Sequence, residues 1–115
     1  MLSVETEVVD RALLVRLAGE LDLAGAPRVM SAAQWAADQP GRAPLVLDVS
    51  RVSFIDSTGV RTLLDVSRGS DRPVALLSPS PTLARVLEIT QLRDRFVEIA
   101  DLDERTLSDL SGAAT

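Results

Sequence analysis

The feature that most restricts this chain is a change of hydrophobic period that recurs along it: segments with the two-residue period of a strand alternate with segments of helical period. Val4, Thr6 and Val8 alternate with Glu5 and Glu7, and Leu13 to Ala18 reads as a second strand after an Asp10-Arg11 turn, so these two pair as a hairpin. From Ala24 to Ala37 the positions Ala26, Val29, Met30, Ala33 and Ala37 recur at helical spacing, with Pro27 tolerated in the first turn. After a break over Asp38 to Pro44, Leu45 to Val49 is an apolar run interrupted only by Asp48, the pattern of a buried parallel strand. Asp56, Ser57 and Thr58 then precede a helix carrying Val60, Leu63, Leu64 and Ser67, which Gly69 to Pro73 ends. Val74 to Leu77 is a short strand, Ser80-Pro81 opens a helix with Leu83, Val86 and Leu87, and Phe96 to Ile99 is the last strand. Asp101 with Glu104 resembles a capping box before Leu107 and Leu110. The order ββαβαβαβα predicts an α/β fold: a mixed sheet, antiparallel in its first hairpin and parallel afterwards through right-handed crossovers, with about four helices packed on it.

At 115 residues the expectation is one domain over residues 1–115 with one core. That core is aliphatic, because the chain has only two Phe, one Trp and no Tyr. A net charge of −5 opposes any binding mode that neutralises the phosphates of DNA or RNA, so no nucleic-acid partner is expected. Met1 leads directly into a strand pattern, and no apolar stretch is long enough to span a bilayer. Neither a leader nor membrane insertion is expected, and the absence of Cys fits a reducing, cytoplasmic setting.

Absent residue types restrict the chemistry further. There is no His or Cys, and all 12 basic residues are Arg. A nucleophilic Ser or Thr therefore lacks a His or Lys base, and a transition metal lacks imidazole and thiolate ligands. The glycines never fall at the spacing of a nucleotide-cradling loop. These readings favour a binding module without cofactor or metal over an enzyme. The one enzymatic alternative is a pair of carboxylates, Asp22 and Asp56.

Parallel pairing of Leu13 to Ala18 with Leu45 to Val49 would bring the loop Gly19-Glu20-Leu21-Asp22 and the loop Phe54 to Gly59 to one carboxyl edge of the sheet, where ligands and partners of such folds commonly meet the protein. Ser57 would lie exposed at a helix N-terminus, where the helix dipole favours an added phosphate. On spacing alone, Asp56 and Ser57 are most simply helix caps, Asp22 a turn residue or the cap of the first helix, and Gly59 a close-packing position. Arg61, Asp65 and Arg68 point away from the apolar face of the second helix, either as a solvated face or as an extension of an interface. Trp35 lies opposite the predicted apolar stripe, either as a docking anchor or folded over the helix to cover a sheet edge or loop.

The segment Val46-Leu47-Asp48-Val49-Ser50-Arg51-Val52-Ser53-Phe54-Ile55-Asp56-Ser57-Thr58-Gly59 resembles the signature of the STAS domain of bacterial anti-sigma factor antagonists. Gly19-Glu20-Leu21-Asp22 is similar to a second hallmark, and Ser78-Pro79-Ser80-Pro81 through Leu87-Glu88-Ile89-Thr90 to a third. The resemblance implies a partner-switching regulator. When unphosphorylated it binds an anti-sigma factor that is also a serine kinase, which frees a sigma factor; phosphorylation releases it, and a phosphatase resets it. ATP and magnesium belong to the kinase. Carried over by position, Ser57 is the phosphoacceptor and Thr58 a secondary candidate, while Asp22, Asp56, Gly59 and Arg61 join Ser57 and Thr58 in the partner surface. Gln91 stands where the family often has Gly. The alternative within the family is a non-switching STAS subunit of a transporter or sensory assembly.

Overall fold

The computed structural model describes residues 1–113. Ala114 and Thr115, included in the one-domain expectation, lie outside the described residues. The elements are β1 (Leu2–Val9), β2 (Ala12–Leu21), α1 (Ala26–Ala37), β3 (Leu45–Ile55), α2 (Ser57–Gly69), β4 (Val74–Leu77), α3 (Pro81–Ile89), a short 3-10 turn (Arg93–Arg95), β5 (Val97–Ile99) and α4 (Glu104–Ala113). The strands form one sheet in the order β1-β2-β3-β4-β5. β1 and β2 are antiparallel, and every later pairing is parallel, as the sequence pattern predicts.

The three crossover helices α1, α2 and α3 lie on one face of the sheet and α4, after the last strand, lies on the other, and the core divides accordingly. On one face, Val29, Ala32 and Ala36 of α1, Val60, Leu63 and Val66 of α2, and Leu83 and Leu87 of α3 pack over Leu13, Val15, Leu17, Leu45, Leu47 and Leu76. On the other, α4 sets Leu107 and Leu110 on Ala12, Leu14, Val46 and Ala75. β2 and β3 are buried on both faces where these layers overlap, which explains the unbroken apolar run at Leu45–Leu47.

Several local expectations are corrected. β3 runs to Ile55 and β2 to Leu21, so Gly19, Glu20, Leu21, Phe54 and Ile55 are strand rather than loop. Two register shifts, between Arg16 and Ala18 and between Gly19 and Glu20, let β3 absorb extra residues as bulges, which breaks the alternation by which a strand is read. α1 starts at Ala26, not Ala24, and it buries Val29, Ala32 and Ala36 while Met30 and Ala37 are exposed. Alanine occupies so much of this helix that periodicity alone does not orient it. Trp35 is half-buried against the main core, as in the covering reading rather than the anchor reading. Thr6 and Val8 face solvent, because α1 shields only the Leu2–Val4 end of the edge strand. The last strand begins at Val97 rather than Phe96.

The cap of α4 is Asp103 and not Asp101: Asp103 Oδ1 accepts the Thr106 amide at 2.7 Å, while Asp101 Oδ1 accepts the Asp103 amide at 3.0 Å in a preceding turn. Gln91 adopts φ +60°, a left-handed conformation that favours Gly. It closes α3 with the Gln91 amide on the Glu88 carbonyl at 3.1 Å and the Leu92 amide on the Leu87 carbonyl at 2.9 Å.

Candidate functional site

Leu21 of β2 and Ile55 of β3 are register partners, and both are buried. The residues that follow them, Asp22 and Asp56, therefore leave the same carboxyl edge side by side, and the Asp56 amide donates back to the Leu21 carbonyl at 3.4 Å. The expected juxtaposition of the two loops is present, each shorter than expected.

Asp56 is still extended, at φ −109° and ψ −175°, and the chain enters α2 at the next residue. Its Oδ1 accepts the Gly59 amide at 2.9 Å and its carbonyl accepts the Val60 amide at 3.0 Å, so its role as N-cap is realised. Ser57 is the first helical residue and is exposed. The free amides of the first turn and the helix dipole make this a favourable place for a dianion. Thr58 is less accessible and half-buried, and its carbonyl accepts the Thr62 hydroxyl at 2.8 Å. Arg61 is exposed one turn beyond Ser57, with Asp65 and Arg68 following on the solvent side.

Gly59 is fixed by packing. A Cβ there would stand 2.2 Å from the Leu21 carbonyl oxygen and 2.7 Å from Ile55 Cγ1. The first turn of α2 is thus pressed onto the end of β2, and only the absence of a side chain permits it. This contact sets where Ser57 stands relative to Asp22.

Asp22 organises its own turn. Its Oδ1 accepts the Gly25 amide at 3.1 Å, and its carbonyl accepts the Gly25 and Ala26 amides at 3.1 and 3.0 Å. Leu23, the residue after it, is 71% exposed. Neither Leu23 nor Gly25 is among the site residues expected from sequence, although the spacing Asp22-x-x-Gly25, which repeats Asp56-x-x-Gly59, is the signal that marks them.

A groove of about 390 Å³ lies at the opposite end of the molecule, between the C-terminal ends of α1 and α2, lined by Met30, Ala37, Leu45, Asp65, Gly69 and Arg72. Arg72 is already engaged there, donating to the carbonyls of Ala43 at 2.9 Å and Gln39 at 3.0 Å. No described helix is long and apolar enough to cross a membrane.

Comparison with known proteins places this geometry. The STAS domain family model matches residues 3–107. The chain is 28% identical over 96 residues to the anti-sigma-B factor antagonist of Staphylococcus aureus, covering 81% of this chain and 88% of that protein. Its fold is similar to the anti-sigma factor antagonist SpoIIAA in its unphosphorylated form, with a TM-score of 0.69, 26% identity and coverage of 96% of this chain and 97% of the other. It is also similar to the Bacillus cell fate determinant SpoIIAA in the phosphorylated form, with a TM-score of 0.64, 27% identity and coverage of 93% and 97%. Because that family model covers residues 3–107, nearly the whole chain, the chain belongs to the STAS domain family.

Proposed function

We propose that this chain, as one STAS domain over residues 1–115, is a cytoplasmic anti-sigma factor antagonist switched by phosphorylation of Ser57. The observation that carries the reading is the exposed Ser57 hydroxyl at the first position of α2, beside the Asp22 turn and immediately after its own cap, Asp56. Relatives bearing the antagonist name, and a fold neighbour solved in both unphosphorylated and phosphorylated forms, support it.

In this account the unmodified edge fits an anti-sigma factor that is also a serine kinase, and its binding frees the sigma factor. The kinase then moves the γ-phosphoryl group of its own ATP to Ser57: the Oγ–P bond forms, the bond to the ADP oxygen breaks, and the hydroxyl proton passes to a base of the kinase. The new group adds about −1.5 to −2 charges between the Asp22 and Asp56 carboxylates. Helix amides and Arg61 hold it on its own chain, while a surface fitted to a neutral hydroxyl is repelled. A phosphatase acting on phosphorylated Ser57 restores the binding form. The chain itself performs no catalysis and needs no cofactor. Asp22, Gly59 and Arg61 act as partner surface around the switch, and Thr58 is the secondary acceptor.

The test compares affinities for the cognate anti-sigma factor. Ser57→Asp is expected to weaken binding by about tenfold or more, and Ser57→Ala to bind as the wild type does while losing the principal phosphate. Wild-type binding by both variants, or undiminished phosphate incorporation into Ser57→Ala, contradicts the proposal.

A further inference from the structure

The third motif of the sequence, around Ser80, lies outside the switch loops, yet its hydrogen bonds reach back to them. β3 pairs with β4 only from Leu45 to Asp48. From Val49 to Ile55, β3 continues along β2 through its two bulges without β4 on its other side. On that side, the Ser80 amide donates to the Val49 carbonyl at 3.1 Å, and the Ser80 hydroxyl donates to the Val52 carbonyl at 2.6 Å. The same hydroxyl oxygen accepts the Leu83 amide at 3.1 Å and so caps α3. Ser80 is only 6% exposed, and the hydroxyl both donates and accepts at this one point.

We infer that Ser80 is a positioning residue for the switch: it replaces the missing strand beside the bulged half of β3 and so holds Asp56 and Ser57 where a partner meets them. The chain of contacts is continuous. Ser80 holds Val49 and Val52, Val52 and Ile55 are buried in the main core, and Ile55 delivers Asp56, whose carboxylate caps α2. Bulged strands bend and twist more freely than regular ones, so a pin at the bulge controls the direction in which the strand end points. A buried hydroxyl that satisfies a carbonyl and an amide together leaves both unpaired when it is removed.

This inference rests on the phosphorylation reading for its functional consequence but not for its structural one, and the experiment separates them. Ser80→Ala, Ser80→Thr and, as a control for lost stability alone, Leu110→Ala in the opposite layer are compared with the wild type. In Ser80→Ala the amides between residues 50 and 57 are expected to exchange with deuterium about tenfold faster, with Val46 and Leu47 unchanged. Phosphorylation of Ser57 by the cognate kinase should fall about tenfold in kcat/KM. Ser80→Thr, which keeps the hydroxyl, restores both. Leu110→Ala, though less stable, is phosphorylated at the wild-type rate. Unchanged exchange over residues 50–57 in Ser80→Ala overturns the inference, as does an equal loss of phosphorylation in Leu110→Ala. If wild-type Ser57 accepts no phosphate from any anti-sigma kinase, the proposed function falls, and the exchange measurement alone decides the positioning role.

Discussion

Two loops leave the carboxyl edge of the sheet side by side on the same four-residue frame, Asp22-Leu23-Ala24-Gly25 and Asp56-Ser57-Thr58-Gly59. In each, the aspartate carboxylate accepts the amide of the glycine three residues on, at 3.1 Å in the first and 2.9 Å in the second. They differ in what lies between. The first frame closes a turn before α1 begins and exposes an apolar side chain, Leu23. The second is itself the first turn of α2 and exposes a hydroxyl, Ser57. One backbone device thus presents an apolar side chain in one loop and a hydroxyl in the other.

The glycines break the comparison most sharply. A Cβ at Gly59 meets the Leu21 carbonyl oxygen at 2.2 Å, which is backbone and cannot yield, whereas a Cβ at Gly25 meets the buried Leu2 side chain less closely, Cδ2 at 2.9 Å and Cβ at 3.1 Å, so that a shift of a few tenths of an ångström relieves it. In urea denaturation Gly59→Ala is expected to cost about 3 kcal/mol or more, and Gly25→Ala about 1 kcal/mol. Equal losses would show that the two frames are packed alike.

The aspartates come next. Asp56→Ala removes the cap of a long helix and is expected to cost about 1 kcal/mol, largely restored by Asn. Asp22→Ala loses a turn bond at a half-exposed site and should cost less than this, although its own carbonyl still holds the Gly25 and Ala26 amides. Chemical denaturation of the three variants ranks them.

Leu23 sharpens the functional half of the comparison. Leu23→Ser is expected to leave stability within about 0.5 kcal/mol, because the side chain is exposed. Binding to the anti-sigma factor should weaken by about tenfold in a calorimetric titration, as for an apolar contact at the centre of an interface. Wild-type affinity would confine the partner surface to the second frame.

The smallest effect lies away from both loops. Arg93 donates to both Glu98 carboxylate oxygens at 2.7 and 2.8 Å and also pairs with Glu88, tying α3 to β5. Its hydrogen bonds hold the Glu98 carboxyl below the ordinary glutamate value. A pKa depressed on folding adds stability above the unfolded value, about 4.3, and that contribution disappears as pH falls through the folded value. Acid titration should therefore loosen the β5 edge slightly, followed by amide exchange at Glu98 and Ile99, and Glu98→Gln should remove this pH dependence. The Asp frames at the other loops should show no matching change in the variant.

Much of this was legible beforehand because the physics is local. Element order, hairpin, parallel pairing and the meeting of the Asp22 and Asp56 loops at one sheet edge follow from period changes and crossover handedness. Failures occurred where local signals are degenerate. α1 is so rich in alanine that several stripes fit it, and the layer beneath chose Ala32 and Ala36 over Met30 and Ala37. β3 looked short because Ser50, Arg51 and Ser53 interrupt its alternation, and only pairing with β2 shows that bulges accommodate them. At α4, Asp101 and Asp103 both had acceptable spacing to cap, and the observed turn uses them in succession. The Ser80-Pro81 pair signals the helix start that it forms, but the bond from Ser80 to Val52, 28 residues earlier, has no local signature.

The most direct test of the central claim is to incubate the full chain with the cognate anti-sigma kinase and Mg-ATP and to map incorporated phosphate by peptide mass spectrometry. The account predicts a single principal phosphate on Ser57, lost in Ser57→Ala, with release of the complex as it accumulates. An unmodified Ser57 in a chain that binds the kinase, or release that proceeds equally in Ser57→Ala, would contradict it.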